Sequence, residues 1–310
     1  MAKKTRVKGN IIMKSRVSLI KGKNRYDINF KAIKVFEDEI AQGLKSKKRI
    51  VIKPNFVAVD FQLAATHVDH MRALLAIFKE KFPQKEIIIA ESVPQTMKIE
   101  DAFKNYCYYP LLNEYNIKVV DLNSSGYDIL HLMDLKLEKP VPVKVSRMLL
   151  DKDNYIVSAA RLKTHACVSV TLSFKNIAMG AILKDDKSSI HMDGGNAAVH
   201  LNLFLLAHKL RPDFASIDGF DGMQGEGPDR GEPIDSKVAI ASSDFLAADR
   251  VATEVMGFDF DKVSYLNYMS IAGFGQSDLA NIDITGDKLS DCIIRFKPPA
   301  CLPDACKPYF

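Results

Sequence analysis

Lys53, Arg161, Lys163, His165 and Lys175 are the side chains best suited to hold an anion and move a proton. Most of them stand where a short apolar run gives way to polar residues. Val51-Ile52 leads into Lys53-Pro54-Asn55, and residues 155–160 lead into Arg161-Leu162-Lys163-Thr164-His165. Ammonium and guanidinium groups bind carboxylate or phosphate. Imidazole is the side chain that titrates nearest neutral pH. The implied chemistry is capture of a small anionic molecule and general acid–base proton transfer. His165, Lys175 and Asp218 are the candidate catalytic groups. Lys53, Asn55, Arg161, Lys163, Asn176, Gly225 and Gly227 are the candidate binding groups.

Residues 218–231 hold glycines at 219, 222, 225, 227 and 231. Such spacing lets backbone N–H groups approach a ligand, or simply turns the chain. No Gly-Lys-Ser/Thr follows, and no G-x-G-x-x-G opens a helix, so neither nucleotide-binding motif is present. Turn and ligand cradle both remain open.

A metal is the alternative. His165, His191, His200, Asp218 and Asp249 offer nitrogen and oxygen donors, though their spacing matches no metal motif. His200 falls within an apolar helical pattern and reads as a hydrogen-bonded core histidine. Cys292, Cys301 and Cys306 lack the paired C-x2-C runs of ferredoxins and zinc ribbons. Three loosely spaced thiols would leave a coordination shell incomplete. A divalent metal or iron–sulfur cluster would need other ligands or a second chain, in a binding or maturation protein. A non-catalytic ligand-binding module is the third reading.

The elements that would position these groups alternate between strand and helix. The 310 residues suffice for one large domain or two lobes. Residues 49–53, 86–90, 117–120, 155–160, 214–217, 237–241, 282–285 and 292–296 read as strands. Met71, Leu74, Leu75, Phe78 and Phe82 repeat on one helical face, with Thr66 and Asp69 as its cap. A second helix is expected over 100–115, and a third from Val199, Leu203, Leu206 and Leu210. Asp244 should cap a further helix that ends at Gly257. This rhythm predicts an α/β fold of largely parallel sheets flanked by helices. Residues 1–15 read as a basic tail, 16–286 as the α/β domain, and 287–310 as a strand with a Cys/Pro-rich tail. Lobes at 16–122 and 151–286 would flank a β insertion at 123–150, where Val141, Val143 and Val145 alternate with Pro142 and Lys144.

The basic N-terminus lacks the apolar core of a secretory signal, and the longest apolar runs are far short of a membrane span. The cytoplasm is therefore the expected compartment, and a membrane is not an expected partner. Net charge is only +5. The basic stretch Lys45-Ser46-Lys47-Lys48-Arg49 carries no interleaved aromatics, so nucleic acid is not an expected partner either. Oligomeric state is left open.

The motifs Val51-Ile52-Lys53-Pro54-Asn55, Ala65-Thr66-His67, Ala160-Arg161-Leu162-Lys163-Thr164-His165 and Thr171-Leu172-Ser173-Phe174-Lys175-Asn176 recur together with Met179-Gly180, Asp218-Gly219, Gly222-Met223-Gln224-Gly225-Glu226-Gly227-Pro228 and Ala247-Ala248-Asp249-Arg250-Val251-Ala252. In these the chain resembles the family numbered 362 among domains of unknown function, from about Arg16 to Gly286. Some members of that family carry an added ferredoxin-like module, which this chain lacks. The spacing of His165, Lys175 and Gly180 is also similar to that of the nickel-dependent lactate racemase family. There the lysine carries a covalently bound nickel cofactor. This chain departs in having Ser173-Phe174 where that family places small residues. The resemblance implies a shared cleft and proton transfer of the isomerase or racemase kind.

Overall fold

The computed structural model describes residues 14–93, 97–191 and 196–302. Its strands are β1 (Ser15–Lys21), β2 (Arg49–Lys53), β3 (Glu86–Glu91), β4 (Lys118–Asp121), β5 (Tyr127–Met133), β6 (Pro140–Ser146), β7 (Asn154–His165), β8 (Ser169–Thr171), β9 (Phe214–Gln224), β10 (Glu232–Ile234), β11 (Val238–Ser242) and β12 (Ile282–Gly286). The helices are α1 (Arg25–Lys34), α2 (Glu37–Leu44), α3 (Val68–Lys81), α4 (Ile99–Asn105), α5 (Tyr109–Tyr115), α6 (Arg147–Leu150), α7 (Ser173–Ala181), α8 (Lys187–Ile190), α9 (Asn196–Ala207), α10 (Phe245–Val255), α11 (Ser264–Ile271) and α12 (Leu289–Cys292).

One sheet runs in the order β12-β1-β11-β9-β7-β2-β3-β4, with β8 added to β7 and β10 to β9. Along this path only β11 opposes its neighbours; the other strands share one direction. The fold is thus α/β with a mostly parallel sheet between helices, as the strand–helix rhythm predicts. Successive side chains of a strand point to opposite faces. Val51 and Ile88 join the apolar layer that holds Phe174, Leu203 and Val251, and so lie under α7, α9 and α10. Ile50, Ile52, Ile87 and Ile89 join Ile33, Leu74 and Phe78, under α1 and α3. Burial on both faces is why these strands read as unbroken aliphatic runs. Segments on either side of residues 123–150 contribute to this same sheet, while β5 and β6 form a separate two-stranded sheet.

Several local expectations are corrected. Thr66 does not cap α3. The cap is His67, whose Nδ1 accepts from Asp69 N, because the Thr66 hydroxyl is engaged between Asn55 N and Ala159 O. The helix expected over 100–115 is two helices, parted where Cys107 takes φ 59°. No strand forms over 292–296. The N–H groups of Ile294 and Phe296 instead meet the carbonyls of Val255 and Met256 at the end of α10, and Phe296 packs over Gly222. Asp244 does cap α10, accepting from Leu246 N and Ala247 N, and Gly257 follows it at φ 77°. Among the described residues no helix is long and apolar enough to cross a membrane.

The connections set the site. From β2 the chain leads outward to β3 and β4, then returns on the other side of β2 as β7. The strand order therefore reverses between β2 and β7, and in open α/β sheets ligands bind in the crevice beyond the strand ends at such a point.

Candidate functional site

A cavity of about 170 Å³ opens at this reversal, lined in part by Lys53, Glu91, His165, Lys175, Lys187 and His191. Three strand ends build it. Lys53 ends β2 opposite Ser158 of β7, while β7 runs on, wholly buried, to His165. The chain then doubles back, so that Thr171 of β8 pairs with Lys163. Helix α7 starts two residues later and turns Lys175, Asn176, Met179 and Gly180 to the cavity, the i, i+1, i+4, i+5 face of one helix.

The floor is a closed ionic group. Lys53 Nζ lies 2.7 Å from Glu91 Oε1 and donates to Pro54 O at 2.8 Å and Asn176 Oδ1 at 3.1 Å. Glu91 also accepts from Phe56 N and Ser92 N. Burial lowers the Lys53 pKa and the Glu91 charge opposes the fall. Gly180 is required here, since a Cβ at that position would overlap Lys53 Cε. Asn176 locks the floor to both strands through Lys53 O and Ser158 Oγ.

The walls differ in kind. His165 Nδ1 accepts from Cys167 N at 3.1 Å, so in the neutral ring the proton resides on Nε2. That Nε2 is buried and has no partner among the described residues. Burial, reinforced by Lys175, holds the His165 pKa well below the usual imidazole value, so the ring is neutral at pH 7. His191 stands edge-on to it at 5.1 Å with its own Nε2 buried and unpartnered among the described residues, and burial brings its pKa down to about 3. Thr171 Oγ1 is unpartnered too. Lys187 donates to Ser92 Oγ at 2.9 Å and is lowered by burial to about 8. Lys175, 5% exposed, makes no hydrogen bond or ion pair among the described residues, and burial lowers it to about 7. The cavity thus presents cations and N–H donors, while the carboxylate in its lining is already bonded to Lys53. It suits an anion.

Of the residues singled out by sequence, Lys53, Asn55, His165, Lys175, Asn176 and His191 meet in this cavity. Lys163 does not line it; its buried ammonium bonds Ala64 O and Pro228 O. Arg161 and Asp218 lie elsewhere. Strand β9 does not stop at Ile217 but continues to Gln224, which leaves Asp218 inside the sheet. There it meets Arg25 at 3.1 Å, Asn29 at 3.2 Å and Arg161 at 3.9 Å. Burial would raise the Asp218 pKa, but Arg161 and Arg25 outweigh it and hold it low. Gly227 packs on Thr164, where a Cβ would meet the Thr164 carbonyl, and its own carbonyl accepts from Ala166 N. Gly225 takes φ 73° and donates to Lys297 O. From this loop Pro228 reaches the cavity.

His200 Nδ1 accepts from Tyr265 N, and the two rings stack. Cys292 is buried, Cys301 is exposed with its thiol on Ala166 O, and Cys306 lies outside the described residues. Among the described residues no three His, Cys, Asp or Glu side chains converge as metal ligands. Their donor set therefore does not by itself fit a metal. Sequence reasoning missed Glu91, Ser92, Thr171 and Lys187. Glu91 had the same signal as Lys53, a charge at the end of an aliphatic strand.

Asp249 sits behind the cavity and caps α7, accepting from Ser173 N at 2.8 Å and Phe174 N at 3.0 Å. Burial raises its pKa to about 7 against those two bonds. A carboxyl whose folded pKa is raised binds protons more tightly folded than unfolded between about pH 4 and 7. Its contribution to stability is full below that window and is lost as pH rises through 7. Asp249→Asn carries no such charge. We expect it to be less stable than wild type by about 1–3 kcal/mol at pH 5, from the lost second acceptor, and to close that gap by pH 8. Urea unfolding of both proteins at the two pH values measures it, and a gap that widens toward pH 8 would reverse the assignment.

A 29% identical stretch of 160 residues relates the chain to the thylakoid-associated protein sll1697 of Synechocystis sp. (strain PCC 6803). That stretch is 50% of this chain and 47% of the relative, so the chain matches about half the length of that protein. The model of the domain of unknown function DUF362 matches residues 50–254, a span that begins with β2, ends in α10 and contains the cavity-lining residues; the chain belongs to the DUF362 family.

Proposed function

We propose that the chain is an enzyme that binds a small organic anion in the cavity between β2 and β7 and exchanges a proton with it through Lys175 and His165. One observation carries the reading: among the described residues, a buried imidazole Nε2–H without an acceptor stands in a cavity with a buried ammonium that makes no hydrogen bond or ion pair. Unsatisfied buried donors of this kind each cost about 1–3 kcal/mol and are relieved by a ligand oxygen. An amine whose pKa lies near 7 gives and takes protons with little driving force lost at neutral pH. The cavity volume suits a molecule of a few carbons rather than a nucleotide.

The test is proton exchange in heavy water. Small carboxylic acids bearing a hydroxyl, amino or oxo group beside the carboxylate are incubated with the protein, and deuterium at the adjacent carbon is followed by proton NMR. Exchange should occur with at least one acid and slow by about 100-fold in Lys175→Met, the loss usual for a general acid–base group. A complete panel without exchange removes the proton-transfer reading. Binding of those acids without exchange would favour the ligand-binding module instead.

A further inference from the structure

The buried lysines of this region are not equivalent. Lys53 is held by a carboxylate, a backbone carbonyl and an amide oxygen. Lys163 is held by two backbone carbonyls and does not reach the cavity. Lys187 is held by both oxygens of Ser92. Each of these ammonium groups is fixed by acceptors that favour its protonated form. Lys175 alone among them lines the cavity without a hydrogen bond or ion pair to a described residue, the Cys167 thiol being the acidic group that acts on it. A primary amine reacts with a carbonyl carbon only through a free lone pair, and desolvation without an acidic partner is how such a lone pair is freed in proteins. Burial is the largest cause of the lowered Lys175 pKa, consistent with that geometry.

Resting on the anion-binding reading above, we propose that the ligand of this site is a small 2-oxo acid and that Lys175 Nζ joins its carbonyl carbon as an imine. The lone pair of Nζ adds to the carbonyl carbon, forming a C–N bond, and the π pair moves to the oxygen. His165 Nε2–H, the donor without an acceptor, hydrogen-bonds to that oxygen. The oxygen then departs as water with the two hydrogens that left the amine, and a C=N bond remains. No oxidant or reductant is consumed. An electron-withdrawing imine acidifies the neighbouring C–H, which gives the proton transfer a chemical reason. The carboxylate of the ligand is matched by the excess of cations, and Phe56, Val57, Met179 and Pro228 give its short chain an apolar wall.

The experiment is reductive trapping of the full chain with pyruvate and glyoxylate in turn, using cyanoborohydride, which adds hydride to the imine carbon while the nitrogen takes a proton from water. Intact-mass measurement counts adducts and peptide mapping locates them. We expect one dominant adduct, on the peptide containing Lys175, with a yield that is half-maximal near neutral pH, and its loss in Lys175→Arg. Propionate and acetate, which lack the carbonyl, are tested in parallel for binding by ligand-observed NMR. An adduct scattered over surface lysines, or placed on Lys187, overturns the imine. Binding of propionate with no adduct from either oxo acid overturns the imine and leaves the anion reading intact. No binding and no adduct overturns both. Mapping on the wild-type chain decides the matter even where Lys175→Arg fails to fold.

Discussion

Lys175→Met is expected to unfold at a higher urea concentration than the wild-type protein at pH 6, by the equivalent of about 2–4 kcal/mol. The ammonium of Lys175 is buried with no described partner, and its pKa falls from 10.5 to about 7. For a base whose folded pKa is depressed, the unfolded chain holds more protons between the two values. Wild-type stability must therefore rise as pH climbs from about 7 toward 10.5, and the charge costs most below pH 7. Methionine keeps the unbranched stem and has no charge to desolvate. Its advantage should be largest at pH 6 and shrink by pH 10, where wild-type Lys175 is neutral in the folded state. A gain in stability together with loss of proton exchange is the trade expected of a functional group held in an unfavourable setting. Equal or lower stability of Lys175→Met at pH 6 would mean that the ammonium is well solvated or paired, and the site would lose its argument.

The opposite outcome is expected one layer deeper. Glu91→Gln should destabilise the protein by about 3–5 kcal/mol, because it leaves the Lys53 charge buried without its carboxylate. Both side chains of the pair are 2% exposed, so water cannot compensate. Glutamine still offers one carbonyl oxygen to Phe56 N or Ser92 N but presents an amide to the other. Removing both charges, as Glu91→Gln with Lys53→Met, should recover most of the loss, since an apolar pair of similar volume avoids the desolvation of two ions. The double-mutant cycle in urea measures the coupling. Additive single effects would show that the two groups do not act as a pair.

Much of the site was legible because parallel strands end on one side of a sheet. That rule located Lys53, Asn55 and His165 from nothing more than where aliphatic runs stop, while Lys175 and Asn176 came from the motif Thr171-Leu172-Ser173-Phe174-Lys175-Asn176 and not from a strand end. The same rule misplaced Asp218, because a run of small residues, Asp218-Gly219, continued the strand instead of ending it. Its partner Arg25 belongs to α1, whose mean polarity hides an apolar face of Ile28, Ala32 and Ile33. Glu91 lies one residue beyond the strand expected over 86–90, yet it ends β3 itself. Asp249 was singled out as a metal donor; in the structure its carboxylate is buried and serves the N-terminus of α7. Lys187 and Thr171 carry no signal in their neighbours. Only the return of β8 and the turn after α7 bring them to the cavity.

Strand β1 lies between β11 and β12, and the Ser242 hydroxyl donates to the carbonyl of Arg16, 226 positions away. During vectorial synthesis the first strand of the sheet must therefore wait, unpaired, for the residues that flank it on both sides. The cavity has no such delay. Its lining residues run from Lys53 to Pro228 and all precede β11. Long-range pairing of this kind raises contact order and slows folding. A nascent chain would thus assemble the crevice between β2 and β7 while one sheet edge is still open, a state in which an exposed strand edge invites aggregation.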